Sequence, residues 1–279
     1  MTHTMTHPET AGLDLPRYLE RIGYAGDLSP TAAVLDEIIA RHANAIPFEN
    51  LDPFLGVPNR LDLPSLQRKL VDGGRGGYCY EHDLLLRAAL QQIGFTVHGL
   101  FARVLWGAAP GTVNPRSHML LLVTADGGQR VADVGFGGMV LTASLAFRPD
   151  VTQQSPLEPF RLIADAGEYT LQALVGGQWH PLYRFDLQEQ LPTDYEASNW
   201  YLSTSPLSRF VTSLMAARAT ADHRYALAGR RFTTHTPGQD SQHRILADAA
   251  QLREVLEERF RIDTSALDID LAFARAAPA

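Results

Sequence analysis

The chain has 279 residues, 45% hydrophobic and 20% charged, with a net charge of −7. This is the makeup of a folded soluble protein, long enough for two domains or three small ones sharing a core. Its single cysteine excludes an internal disulfide framework and a thiolate zinc cluster, and fits a reducing compartment. The acidic balance and the lack of a long basic stretch exclude nucleic acid as an expected partner, because that binding begins with phosphate neutralisation.

Met1 to Leu15 has no apolar core, so no signal peptide is expected. No run of about 18 apolar residues exists, so no membrane span or membrane partner is expected and the expected location is cytoplasmic. His3 and His7 read as a loose tail rather than a metal site. From about Asp14 to Ile93 the pattern is helical. Pro16, Tyr18, Leu19 and Ile22 open it, and Ser29-Pro30 is expected to start a second helix with Val34, Leu35, Ile38, Ile39 and His42 at three- and four-residue spacings.

From Gly94 to Trp200 short β-rich runs alternate with glycine, proline and aspartate, as in a barrel or sandwich. They are Phe95 to Trp106, Ser117 to Val123, Arg130 to Phe136, Phe160 to Ile163 and Tyr169 to Leu174. In the last region Ser208 to Arg218 reads as helical and Tyr225 to Thr236 as strand. Ala247 to Phe260 reads as an amphipathic helix. Residues 1–93, 94–200 and 201–279 are expected to be three parts that pack together.

Cys79 sits in the least ordinary stretch, Gly73-Gly74-Arg75-Gly76-Gly77-Tyr78-Cys79-Tyr80-Glu81-His82-Asp83, followed by strong helix formers from Leu84 to Ile93 and a stop at Gly94. The cysteine therefore lies where a glycine loop becomes a helix, and the free N–H groups there favour a thiolate of lowered pKa. The glycines are expected to clear a path for a substrate. A lone cysteine is ordinarily a small buried apolar residue; the loop favours a functional one. Arg75 is expected to pair with a carboxylate of the helical part.

A thiol nucleophile needs a base, and the base an orienting group. His98, His180, His223, His235 and His243 read as surface, and nothing near His82 obviously orients it. His118 opens the run to Val123, the turn Ala125-Asp126-Gly127-Gly128 follows, and a second strand returns through Asp133. A hairpin folded about Ala125 and Asp126 sets His118 directly opposite Asp133, on one face. An aspartate in such a strand needs a partner, which His118 supplies. Cys79, His118 and Asp133 then form a triad of nucleophile, base and orienter. Gly135-Phe136-Gly137-Gly138 follows, where glycines permit close approach of backbone and Phe136 offers an apolar wall.

Arg75 to His82 resembles the signature of the arylamine N-acetyltransferases. Ile46-Pro47-Phe48-Glu49-Asn50-Leu51, Ser117-His118-Met119, Asp133 to Gly138 and Asn199 to Phe210 are similar to further motifs of that family, in the same order. Asp83 departs from the pattern, where the family usually has asparagine. The resemblance implies an α+β multidomain fold: an N-terminal helical bundle, a central β-barrel and a C-terminal α/β lid around a cysteine-protease-like Cys-His-Asp core. It implies acetyl-CoA as co-substrate, no metal, and a small arylamine or hydrazine as acceptor, acetylated by a ping-pong route through acetyl-Cys79. It also implies that Phe48 and Phe136 line the acceptor site and that Gly137 and Phe210 lie where coenzyme A is held. The rival readings are an amide synthase of the same family, a thiol hydrolase or transglutaminase-like enzyme, and a CoA-binding protein without turnover.

Overall fold

In the computed structural model, residues 12–109 and 111–276 are described; His3 and His7 lie outside them. Asp14 starts α1 (Leu15–Ile22) by accepting from the Arg17 amide at 3.2 Å, and Gly23 at φ +68° ends it. The second helix, α2 (Ala32–Ala45), begins two residues later than Ser29-Pro30 suggests, because Thr31 is the cap: its hydroxyl accepts from Val34 N–H at 3.3 Å. A two-residue strand β1 (Phe48–Glu49) and two single turns, α3 (Leu51–Phe54) and α4 (Leu63–Leu66), lead through a π-type turn at Gln67–Asp72 to α5 (Cys79–Ile93). Every residue of α5 from Cys79 to Leu90 is buried, so this helix is surrounded rather than amphipathic.

Seven antiparallel strands follow: β2 (Thr96–Val104), β3 (Arg116–Ala125), β4 (Gly128–Ala132), β5 (Leu145–Ala146), β6 (Phe160–Asp165), β7 (Glu168–Val175) and β8 (Gln178–Phe185). Their order is β5-β4-β3-β2-β8-β7-β6. The segment after β5 nearly closes the barrel onto β6, with Asp150 N–H on Leu162 O at 2.7 Å and Gln153 N–H on Phe160 O at 2.8 Å. In β3, Leu120 and Leu122 fill the barrel while Met119, Leu121 and Val123 join the core shared with α5. A strand buried on both faces explains the unbroken apolar run. His118 shares the barrel-side parity of Leu120.

The rest of the chain carries α6 (Pro192–Thr204), α7 (Arg209–Thr212), β9 (Met215–Ala219), β10 (Arg224–Ala228), β11 (Arg231–His235), β12 (Gln242–Ile245), α8 (Ala249–Glu254) and α9 (Ile269–Arg275). Helix α6 crosses position 200 and has no counterpart in the sequence reading. The helix expected over Ser208 to Arg218 is one turn only. Its second half is β9, an inner strand of the sheet β1-β9-β10-β11-β12. The single strand expected over Tyr225 to Thr236 is the hairpin β10–β11.

Candidate active site

Cys79 is the first residue of α5, and the Glu81 carboxylate holds the turn by accepting the Tyr78 amide at 3.0 Å. Glu81 also receives Asn59 Nδ2 at 2.8 Å and Lys69 Nζ at 2.7 Å. Burial pushes its carboxyl up to about 7, against the pull of Lys69. Arg75 pairs with Glu49 and Asp52, at 2.7 and 2.8 Å, as the sequence suggests. The glycine loop has a different purpose from the expected one at Gly76: a Cβ there would sit 1.9 Å from the Pro47 carbonyl oxygen. The glycine admits neighbouring backbone, not a substrate.

The Cys79 side chain is only 3% exposed, and its thiol donates to Ser117 O at 3.8 Å. The lowered thiol pKa expected from the helix start is overturned. Burial pushes the thiol up, the Asp133 charge pushes the same way, and the Met119 amide offsets only part. With the thiol raised in this way, its proton must pass to a base before the sulfur can attack.

His118 is the residue after Ser117. Its Nε2 meets Asp133 Oδ2 at 2.7 Å, and Asp133 Oδ1 accepts from Gly135 N–H at 2.9 Å. Donation from Nε2 to the carboxylate leaves Nδ1 as the nitrogen that can accept a proton. The pair forms, but not in the expected register. The turn is Asp126-Gly127, with φ +50° and +75°, so Leu121 stands opposite Ala132 and β4 ends before Asp133. The difference is two residues, and a slip of two preserves the face where a slip of one would lose it. Gly135 is required by close approach: a Cβ would lie 2.5 Å from Cys79 Cα and 2.7 Å from Asp83 Oδ2.

The aromatic groups gather here too. Phe136 and Tyr183 flank the His118 ring with centroids 4.9 and 4.8 Å away. Gly137 faces the Phe48 ring, which lies 6.2 Å from Phe210, and Phe210 sits edge-on to Tyr78 at 5.2 Å. The seven residues singled out in the sequence thus form one cluster. Two surface grooves lie elsewhere, one between α5 and α6 and one on β10–β12, and neither is lined by any of the seven. No group of three or more potential metal ligands occurs among the described residues. None of the helices there is long and apolar enough to cross a membrane.

Two sets of residues escaped the sequence reading. One is a buried relay: Tyr18 O–H meets His42 Nδ1 at 2.9 Å, His42 Nε2 meets His82 Nδ1 at 2.8 Å, and His82 Nε2 meets Pro47 O at 3.1 Å. The carbonyl can only accept, which fixes His82 and then His42 as neutral tautomers with the proton on Nε2. Burial holds both rings below the ordinary histidine range, His82 down to about 4. The other is Asn50, whose amide donates to Phe210 O and Ser213 O, each at 2.7 Å, and accepts from Met215 N–H at 2.7 Å. Its place beside Phe48 in a motif was the only available signal.

With this geometry in view, comparison with known proteins is direct. A family profile described as N-acetyltransferase matches residues 31–269. The arylamine N-acetyltransferase of Mycolicibacterium smegmatis is 43% identical over 255 residues, 90% of this chain and 92% of that protein. The Escherichia coli arylamine N-acetyltransferase is 36% identical over 88% of each chain. The solved structure of the Mycobacterium marinum arylamine N-acetyltransferase in complex with CoA superimposes with a TM-score of 0.91 at 39% identity, covering 95% of this chain and all of that one. Fold and sequence together define an acyltransferase. The chain belongs to the arylamine N-acetyltransferase family.

Proposed function

We propose that the protein transfers an acetyl group from acetyl-CoA to the nitrogen of arylamines and arylhydrazines by a ping-pong route. His118 Nδ1 takes the Cys79 proton, and the thiolate attacks the thioester carbonyl. Collapse of the adduct expels the coenzyme A thiolate, which takes back the proton held on His118 and leaves that imidazole neutral. The amine nitrogen then attacks acetyl-Cys79, loses its proton to His118, and the cysteine sulfur departs. Asp133 holds the imidazole tautomer and stabilises the imidazolium. The observation that carries this reading is the Nε2–Oδ2 pair at 2.7 Å beside a buried thiol on Ser117 O.

Phe48 and Phe136 are assigned to the acceptor site. Gly137 and Phe210 are assigned to coenzyme A; that a relative was solved in complex with CoA supports CoA as the ligand of this fold. Acetyl-CoA without an amine is expected to leave one acetyl group on Cys79, read by intact mass and peptide mapping. An acetyl group on a lysine, or none, would remove the intermediate. Phe210→Ala is expected to raise the Michaelis constant for acetyl-CoA by about tenfold, the loss of roughly 1.4 kcal/mol of contact. Its transfer step from preformed acetyl-enzyme should change little; equal damage to both steps would move Phe210 out of the donor site.

A further inference from the structure

We propose that Asp83 is a protonated, neutral carboxylic acid beside the ionised Asp133 and acts as a positioning residue for Cys79 and His118. The inference rests on the catalytic reading of Cys79, His118 and Asp133 given above. Asp83 lies one turn after Cys79 on α5, with no solvent exposure. Its Oδ1 accepts from Val134 N–H at 3.2 Å, while Asp133 Oδ1 accepts from the very next amide, Gly135. Consecutive amides thus hold two carboxyls at one loop, pressed against α5 where Gly135 has no Cβ.

The two are not equivalent. Asp133 receives one donor on each oxygen, from His118 and from Gly135. Asp83 Oδ2 is buried with no hydrogen-bond partner. An ionised Asp83 would be a buried charge with one neutral donor beside a second carboxylate, an arrangement that expels one of the two charges.

The groups around it give no relief. On its own helix stand Cys79 and Arg87; from β3 comes His118, from β8 Tyr183, from α6 Tyr195. His118 is committed to Asp133, and the groups that act on the Asp83 carboxyl are burial, the Asp133 charge and the Val134 amide, with no cation among them. Burial and the Asp133 charge both push the Asp83 carboxyl well above the usual range. A neutral aspartic acid offers an acceptor oxygen on one side and a donor O–H on the other, as an asparagine amide offers its oxygen and its two-donor NH2 group. The departure from the motif noted in the sequence then leaves the charge at the thiol unchanged.

The test combines infrared spectroscopy and thiol alkylation on the full chain. Wild type at neutral pH is expected to show a protonated-carboxylic-acid C=O stretch that Asp83→Asn removes, a readout independent of turnover. Iodoacetamide alkylation of Cys79 against pH is expected to keep its midpoint in Asp83→Asn. Asp83→Leu, which removes the hold on Val134, is expected to lower kcat by about 10²-fold through misplacement, with Asn restoring it to within a few-fold. A missing infrared band, or an Asp83→Asn midpoint lowered by about one unit as loss of an ionised neighbour requires, overturns the proposal. Should acetyl-Cys79 fail to form, the infrared result still decides the protonation of Asp83.

Discussion

Cys79→Ser is expected to lower turnover by on the order of 10⁴-fold, with the fold intact. The substitution exchanges one small side chain for another in a site where sulfur donates only to Ser117 O. What it removes is acidity. Burial already pushes the thiol up, and an alcohol in the same place lies far beyond what an imidazole can deprotonate. His118→Ala is expected to show the same deficit from the base side. Its alkylation midpoint should rise above that of wild type, because burial remains and the proton acceptor is gone. Turnover kept by Cys79→Ser, or an unmoved midpoint in His118→Ala, would rule out this pair as nucleophile and base.

Unfolding free energy is expected to be nearly flat from pH 6.5 to 4.5 in wild type and to fall in Asp83→Asn. His42 and His82 are held neutral in the fold, below the ordinary value of 6.5. In this window the unfolded chain binds both their protons and the folded one binds neither, so acidification destabilises. Glu81 and Asp83 act in the opposite sense. Their carboxyls are raised, Glu81 to about 7 from 4.5 and Asp83 well above 3.8. The folded chain keeps two protons there that the unfolded chain lacks, and acidification stabilises. The two losses and the two gains cancel, with the exposed His235, also held below the ordinary value, adding a smaller loss.

Asp83→Asn deletes one of the gains. Relative to wild type it should lose about 1.4 kcal/mol per pH unit across the window, roughly 2.7 kcal/mol in all. Urea unfolding at several pH values measures this. A variant that tracks wild type in parallel would mean that Asp83 is ionised in the fold.

The sequence made the reactive cluster legible where its signals are local. A glycine loop followed by strong helix formers locates Cys79 at the head of α5. Turn residues and period-2 parity bring His118 and Asp133 to one face, and parity tolerated the two-residue error in register. Elsewhere tertiary contacts outweighed local preference. Met215–Ala219 is rich in alanine and reads as helix, yet it pairs with β1 on one side and β10 on the other. Strand β8 carries Pro181, which argues against a strand, but that residue lies where the pairing with β7 shifts register. The relay from Tyr18 through His42 to His82 joins residues far apart in the chain, and no spacing rule connects them. The thiol pKa failed for a related reason: its sign depends on burial, which the helix start does not reveal.

The short strand β1 has a consequence for how the protein is made. Phe48 pairs with Ala217 and Glu49 with Ala216, so residues near the beginning of the chain wait for partners close to its end. Translation at about 5–20 residues per second takes on the order of 10–30 seconds to cover that interval. Over the later half of it, once Asp133 has been added, Cys79, His118 and Asp133 have all been synthesised while Phe48 lacks its strand neighbour and Asn50 its three backbone partners. A product truncated before Met215 keeps every atom of the reacting group and lacks β9, the strand that pairs with Phe48 and Glu49. The strand that holds Phe48 is thus among the later pieces to arrive, and a chain cut before β9 is expected to be inactive however well its first two thirds fold.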